Sequence, residues 1–478
     1  MKHFQGFLGE FPPTPELAAS FLAEFARLKS TSVHRYHAVI HHHVDFQTKA
    51  LEEINRTAYW DYQHQKIQVK SSRMLSKLAR AAEKRNVART HADKAVHWPL
   101  ASRCPECGCS TLYKYQKKTK NFIDLHFGRN GPRKTVTQYT YHRYLCTGCR
   151  LTFTTTDPAW SRFKYGRKLM SFAIYLMFDV GVRQSKVATL LNDLFGLGLS
   201  RMSVKHLKTR AAEEYEDACI DILAKLITGP VIHADETRIN LKGKVGYVWV
   251  FANVESAAYI YAPSRDASLA HELLKDFHGV LVADFYGGYD SLDCPQQRCL
   301  LHLIRDMNED LTKEPFNEEI KRLTCEFTSV LGNVVRIADR FGLKARYLRR
   351  HKKEANKFFG RLGQQELLIE TGVRWKKRFE RNRSRMFTFL DHDGIPWNNN
   401  NAEHAVKAVA ELRKGLSGRS TEAGIRDYLS LLSLSETCTF RGINFLDFLL
   451  SEERTIDAFV TKKIACRKVR ISSPEGDS

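Results

Sequence analysis

Two short apolar runs that each stop on an aspartate constrain this chain most: Val231-Ile232-His233-Ala234-Asp235 and Gly279-Val280-Leu281-Val282-Ala283-Asp284. Each reads as a β-strand delivering a carboxylate at its end, and the second leads into the turn-prone Tyr286-Gly287-Gly288-Tyr289. Gly246–Ala252 and Ala257–Ala262 are two more strand candidates, joined tightly enough to form a meander with the first. Ser268–Phe277 reads as a helix with Leu269, Leu273 and Leu274 inward, and Gln297–Leu301 as a fifth strand.

Three antiparallel strands, a helix and further strands separated by helix are the order of a ribonuclease H-like core, in which the Asp235 and Asp284 strands lie side by side. A third carboxylate comes from far along the chain. Asn398-Asn399-Asn400-Asn401 supplies capping side chains, and Ala402, Ala405, Val406, Val409 and Leu412 make an apolar helical stripe ended by Arg413, Lys414 and Gly415. Glu403 borders that stripe in the first turn. It either packs toward the sheet near the aspartates or merely favours the positive end of the helix dipole. Three converging carboxylates are the donor set of a pair of Mg²⁺ (or Mn²⁺) ions, which can direct in-line attack on a phosphodiester.

Charge agrees with that chemistry. A net charge of +22 over 478 residues attracts polyanions. No apolar run approaches the roughly 18 to 20 residues of a spanning helix, and the first residues lack a signal-peptide core, so no membrane partner and a cytoplasmic location are expected. Eleven cysteines then stand for free thiols and a metal site. Cys104-Pro105-Glu106-Cys107 and Cys146-Thr147-Gly148-Cys149 are two knuckles whose four thiolates can close a tetrahedral Zn²⁺ site, with Cys109 as a substitute ligand. The β-rich Gln138–Tyr144 leads into the second. Lys114, Lys117, Lys118, Lys120, Arg133, Lys134 and Arg143 interleave with Tyr113, Tyr115 and Tyr139, which suits backbone contact and base stacking on nucleic acid, or else a purely structural ribbon.

The rest reads as helix. Residues 1–100 carry Leu17, Phe21, Phe25 and Leu28 at helical spacing, and His34, His37, His41, His42 and His43 form either a solvated helix or a transition-metal cluster. After the zinc ribbon of 101–160, residues 161–229 hold two stripes, Leu169/Phe172/Ala173/Leu176 and Val187/Leu190/Leu191/Leu194, with Ser185 as a cap for the second. Gly196 and Gly198 then break the chain, and Ser200 or Ser203 starts a basic helix. Helix, Gly turn and basic helix describe a helix-turn-helix, with Lys205, Lys208 and Arg210 as DNA contacts, to which Lys117, Lys118, Arg413 and Lys414 are added from elsewhere in the chain. Residues 230–312 and 392–450 make the core. A basic helical insertion, 313–391, interrupts it; a solvated helix face is the usual fate of such a run, but the excess of one sign is too large for internal pairing and suits a DNA-facing surface. A tail, 451–478, closes the chain.

Several segments in linked order resemble the bacterial DDE transposases, most closely the branch named after insertion sequence sixty-six. They are His233-Ala234-Asp235-Glu236-Thr237 with Gly246–Val250, Ala283–Tyr289, Asn400-Asn401-Ala402-Glu403-His404 with Arg413-Lys414, and Ser435–Cys438 with Gly442–Asn444. The likeness covers roughly residues 160 to 450. It implies DNA cleavage at element ends and strand transfer to a target, with Asp235, Asp284 and Glu403 as metal ligands and catalytic residues, DNA as partner, and a homodimer or higher assembly that brings two ends together. Cys299-x-x-His302 followed by Arg305 resembles an element that several transposase families place after the second aspartate in support of the site; the other reading is a core cysteine beside a satisfied histidine. Two rival readings differ in outcome: a nuclease of the same fold that does not join ends, and a transposase-derived DNA-binding regulator without catalysis.

Overall fold

The computed structural model describes residues 91–156, 163–416 and 420–472, and shows a mixed α+β fold. The expected N-terminal helix and the cluster from His34 to His43 fall outside the described residues, as does the end of the tail beyond Ser472.

The first sheet is built on a long hairpin, β2 (Leu112–Gly128) and β3 (Gly131–Cys146), paired over almost its whole length from Leu112↔Cys146 to Gly128↔Gly131. β4 (Thr152–Thr154) adds antiparallel to β3, and β1 (Lys94–His97) adds parallel to it. The sheet therefore begins at Lys94, inside the stretch expected to be helical. Asp93 holds that start in place: its amide donates to Val136 O and its carboxylate accepts from Val136 N.

The hairpin docks on the helices at several points, among them Lys134 Nζ donating to Gly196 O, Phe127 against Phe172, and the start of the first helix. Gly166 N donates to Ile123 O at 2.8 Å, and Asp124 Oδ1 accepts from Leu169 N at 2.7 Å in the first turn of α1 (Arg167–Phe178). A side chain on β2 thus caps a helix that begins more than forty residues later. Glycine is required at 166, because a Cβ there would lie 2.0 Å from Asp124 Cγ.

Helices α2 (Gln184–Phe195), α3 (Arg201–Glu214) and α4 (Glu216–Thr228) follow. Between α2 and α3 the chain turns on Gly196 and Gly198 at φ 60° and 67°, a conformation that costs glycine little. Ser200 caps α3, and Ser203 returns the bond to the Ser200 amide. Two expectations need correcting. Ser185 lies inside α2, which starts after Arg183 with no side-chain cap. Leu194 is exposed, whereas Val187 and Leu191 are buried.

The second sheet contains β5 (Val231–Leu241), β6 (Lys244–Ala252), β7 (Ala257–Ala262), β8 (Val280–Ala283) and β9 (Gln296–Arg298), in spatial order β7-β6-β5-β8-β9. The β5–β6 and β6–β7 pairs are antiparallel, while β5–β8 and β8–β9 are parallel. α5 (Ser268–Leu274) joins β7 to β8. Contrary to expectation, β5 does not stop at Asp235. It continues to Leu241 because β6 pairs with it from Val250 opposite Asp235 to Lys244 opposite Leu241. The expected fifth strand is shorter too, since Cys299 already caps α6 (Leu300–Lys313).

Alternation along β8 separates two cores. Leu281 and Ala283 join the larger core, with α1 to α5, α11 (Asn400–Leu416), α12 (Glu422–Phe440) and α13 (Phe445–Leu450). Val280 and Val282 join the second, with α6, α7 (Glu318–Phe341), α8 (Ala345–Leu348), α9 (Lys352–Gln364) and α10 (Glu370–Met386). The insertion thus packs on the sheet through an aromatic centre that includes Phe327, Phe358, Trp375 and Phe379. Its arginines are not all spare. On α10, Arg374 pairs with Asp310, Arg378 with Asp306, and Arg381 and Arg385 with Asp290. These positions share one helix face, so that stripe is neutralised internally; Lys353, Lys357 and Lys377 remain on the exposed faces. The last segment is not a simple tail, because α14 (Ile456–Ser472) buries Ile456 and Phe459 in the larger core. Among the described residues no helix is long and apolar enough to cross a membrane.

Candidate active site

The β5–β8 register places the first two carboxylates. The paired register ends at His233 opposite Val282; Asp235 and Asp284 each follow two residues later, Asp284 just past the end of β8, and the charge of Asp284 bears on Asp235. Each aspartate uses one oxygen locally: Asp235 Oδ1 accepts from Glu236 N at 2.8 Å, and Asp284 Oδ1 accepts from Tyr286 N at 2.9 Å. Among the described residues the second oxygen of each has no such backbone donor.

Glu403 reaches this pair through contacts the sequence hid. His233, buried on the same face of β5 as Asp235, bonds through Nδ1 to Asn399 Oδ1 at 2.9 Å, and Asn399 Nδ2 donates to Ala234 O at 2.9 Å. Asn401 Nδ2 lies 3.3 Å from His233 Nε2. Because the Asn399 amide already donates to Ala234, its oxygen accepts from a neutral His233 protonated on Nδ1. Burial keeps that imidazole neutral, pushing its pKa down to about 4. Asn399 is fully buried and its carbonyl takes the Glu403 amide at 3.0 Å, so α11 is clamped to β5 just before Glu403. The asparagine run, read as caps, works mainly as this clamp; Asn398 Oδ1 does accept from Asn400 N.

The site is electrostatically tense. The Asp235 carboxyl is pushed up to about 7, first by burial and then by the charges of Asp284, Glu236 and Glu403. A buried carboxyl raised by neighbours of its own sign is suited to a divalent cation, and an all-oxygen carboxylate set fits Mg²⁺ or Mn²⁺. Glu403 itself leans toward Arg305 Nη1 at 3.4 Å and His302 Nδ1 at 3.7 Å. Among the described residues, two sets of three or more metal-ligating side chains have their donor atoms within 4.8 Å of one another: Cys104/Cys107/Cys146/Cys149 and Cys299/His302/Glu403. The trio Asp235/Asp284/Glu403 is not gathered that closely.

Further residues brace the pair. Glu236 is buried and accepts from Arg265 Nε and Nη2 at 2.9 and 2.6 Å and from Tyr289 OH at 2.9 Å, tying β5 to the Gly287-Gly288-Tyr289 turn. Arg298 is buried beside it, donating to Asp284 O at 2.7 Å and pairing with Asp290. Neither Glu236 nor Arg298 was legible as a support; only their nearness to the aspartates along the chain hinted at it.

In the cysteine knuckles, Cys104 Sγ lies 3.6 Å from Cys149 Sγ and Cys107 Sγ 3.5 Å from Cys146 Sγ. Four sulfurs about 2.3 Å from one tetrahedral ion stand about 3.8 Å apart, so the donor set fits zinc. The knuckles repeat one geometry: Gly108 N bonds Cys104 O, Arg150 N bonds Cys146 O, and both residues adopt positive φ, 71° and 62°. Cys109 is not one of the four gathered sulfurs; its Sγ is directed to Thr111 O.

The expected DNA contacts divide. Lys117 is exposed and Lys118 half-buried on β2, near the exposed Tyr113 and Tyr115. Lys205 is exposed on α3. Lys208 is 4% exposed, and its ammonium donates to Gly424 O on α12 beside the Thr209–Asp427 bond; burial lowers its pKa to about 8. It is an internal clasp, because α3 packs its Val204/Leu207/Lys208/Ala211 face inward. Arg210 also turns inward, donating to Tyr165 O at 3.0 Å and lying over the Phe163 ring. Arg413 is exposed with Nη1 donating to Arg238 O, and the Lys414 side chain lies outside the described residues.

A family model described as "Transposase IS66 family" matches residues 162–427, a span that includes α1 to α11 and all three carboxylates. No curated protein matches the chain.

Proposed function

The chain belongs to the IS66 family of DDE transposases, and on that footing we propose that it binds the ends of a mobile DNA element and carries out metal-dependent DNA cleavage and strand transfer. The five-stranded sheet is read as a ribonuclease H-like core, with Asp235, Asp284 and Glu403 as its metal ligands and catalytic residues. One observation supports this reading most: Asp235 and Asp284 each follow the last paired residues of the adjoining parallel strands β5 and β8 by two positions, and the charges of Asp284 and of Glu403, on a helix clamped to β5, both bear on Asp235.

Bound Mg²⁺ or Mn²⁺ would supply activation of a water or 3′-hydroxyl nucleophile and neutralisation of charge at the attacked phosphodiester. The protein's part is placement. Asp235 and Asp284 come from adjoining strands that cannot shift register without turning every core side chain outward. Glu236, Arg265, Tyr289 and Arg298 fix the backbone around them. Outside the core, the four knuckle cysteines hold Zn²⁺, and helices α2 and α3 act as a helix-turn-helix whose exposed face carries Lys205. Lys117 and Lys118, with Tyr113 and Tyr115, extend the DNA surface along β2. A dimer or higher assembly would bring two ends together.

The test is an in vitro reaction on DNA carrying the element ends. Asp235→Ala, Asp284→Ala and Glu403→Ala should each abolish cleavage and joining in Mg²⁺ while end binding persists. Strand transfer retained by Asp284→Ala would overturn the assignment. Cleavage without any joined product would favour the nuclease instead.

A further inference from the structure

We infer that Cys299, His302 and Glu403 form a second metal site beside the aspartate pair, one that takes a borderline-soft divalent cation such as Zn²⁺ and draws Glu403 away from the aspartates when filled. The three donors come from two helix starts. Cys299 caps α6, His302 follows three positions later on the same side, and Glu403 lies in the first turn of α11. All three donor atoms lie within 4.8 Å of one another.

Among the described residues, two of the donor atoms have no hydrogen-bond partner: while Glu403 Oε2 meets Arg305 Nη1 at 3.4 Å, His302 Nδ1 and Glu403 Oε1 are both sealed from solvent and face each other at 3.7 Å. That is too long for a hydrogen bond. It is within a few tenths of an ångström of the roughly 3.3–3.4 Å that separates two ligands held at about 2.0–2.1 Å on one tetrahedral zinc ion. Asn399 N–H points at Cys299 Sγ at 3.2 Å and offers one bond to a charged sulfur, while burial works the other way and raises the free thiol's pKa. Cation binding would release the thiol proton to solvent. A sulfur–nitrogen–oxygen set of this kind suits zinc or cobalt and is foreign to magnesium.

Glu403 therefore stands between two sets of donors: it contributes to the field at Asp235 on one side and faces His302 on the other. A carboxylate committed to zinc with Cys299 and His302 is withdrawn from the magnesium set, so zinc would restrain the DNA chemistry. That consequence rests on the catalytic reading of Glu403 given above, whereas the site itself does not.

Full-length protein whose knuckle cysteines already hold one equivalent of Zn²⁺ is titrated with Co²⁺, followed by the thiolate-to-cobalt charge-transfer band. A further equivalent should bind, with the band strength of one thiolate. Cys299→Ser should erase the band, and His302→Ala, at a partly exposed position that leaves the fold intact, should weaken cobalt binding about 10- to 100-fold. Absence of the extra equivalent, or an unchanged titration in His302→Ala, overturns the site. Added Zn²⁺ should then slow Mg²⁺-dependent end cleavage at least ~10-fold in the unaltered protein and much less in His302→Ala. Equal inhibition of the two overturns the withdrawal of Glu403. Failure of cleavage in Mg²⁺ alone counts against the proposed function, and the cobalt titration then decides the second site by itself.

Discussion

Asn399→Ala should loosen the third carboxylate without touching it. Asn399 is fully buried, and its side chain makes two bonds, accepting from His233 Nδ1 at 2.9 Å and donating to Ala234 O at 2.9 Å. Truncation leaves a buried imidazole N–H and a buried strand carbonyl unsatisfied, each costing about 1–3 kcal/mol. The lower bound of the sum, about 2 kcal/mol, corresponds to roughly a 30-fold rise in the population of a detached α11 start. Hydrogen exchange at the Glu403 amide, which bonds Asn399 O, should accelerate by about that factor or more while β6 and β7 amides keep their protection. Cleavage should fall along with it. Because His233 and Asn399 act through one contact, the double variant His233→Ala/Asn399→Ala should cost less than the sum of the single ones, by about 1 kcal/mol or more. Strict additivity, or unchanged exchange at Glu403 in Asn399→Ala, would refute the clamp.

Other consequences are as direct. Lys208→Met should lower the melting temperature while leaving the salt dependence of DNA binding unchanged, whereas Lys205→Ala should keep the melting temperature and reduce the salt slope by about one; the reverse pattern would restore Lys208 as a DNA contact. Gly166→Ala should destabilise the junction of hairpin and helices by roughly 1–3 kcal/mol, read as a lower denaturation midpoint, because the new Cβ collides with the carboxylate that caps α1. Chelation of zinc, or Cys104→Ser, should raise hydrogen exchange in residues 104–111 and 146–151 and leave β5 to β9 protected; loss of protection in the second sheet would show that the knuckles support more than the ribbon. Glu236→Gln should slow cleavage more than it weakens DNA binding, since Arg265 and Tyr289 lose the charge that ties the glycine turn to β5; parallel losses in both assays would argue for a general role in folding.

By itself the sequence determined what local patterns can determine. The apolar runs before Asp235 and Asp284 announced central strands, the meander of β6 and β7 was legible to within two residues, and the paired knuckles declared a four-thiol set. Ser200 and the two glycines before it marked a helix start. Each signal depends on near neighbours along the chain, so it survives without coordinates. Partner choice over long separations does not. Lys208 looks like any lysine of a basic helix until α12, more than two hundred residues later, covers it. The arginines of α10 look like a DNA face until Asp290, Asp306 and Asp310 come opposite them. Asn399 reads as one cap among four asparagines until β5 supplies a buried imidazole and a carbonyl for it to join. Burial and pairing are properties of surfaces brought together from distant segments, so only tertiary packing decided which charges stay exposed, which hold the fold, and that Glu403 lies against the Cys299–His302 pair while its charge still bears on Asp235.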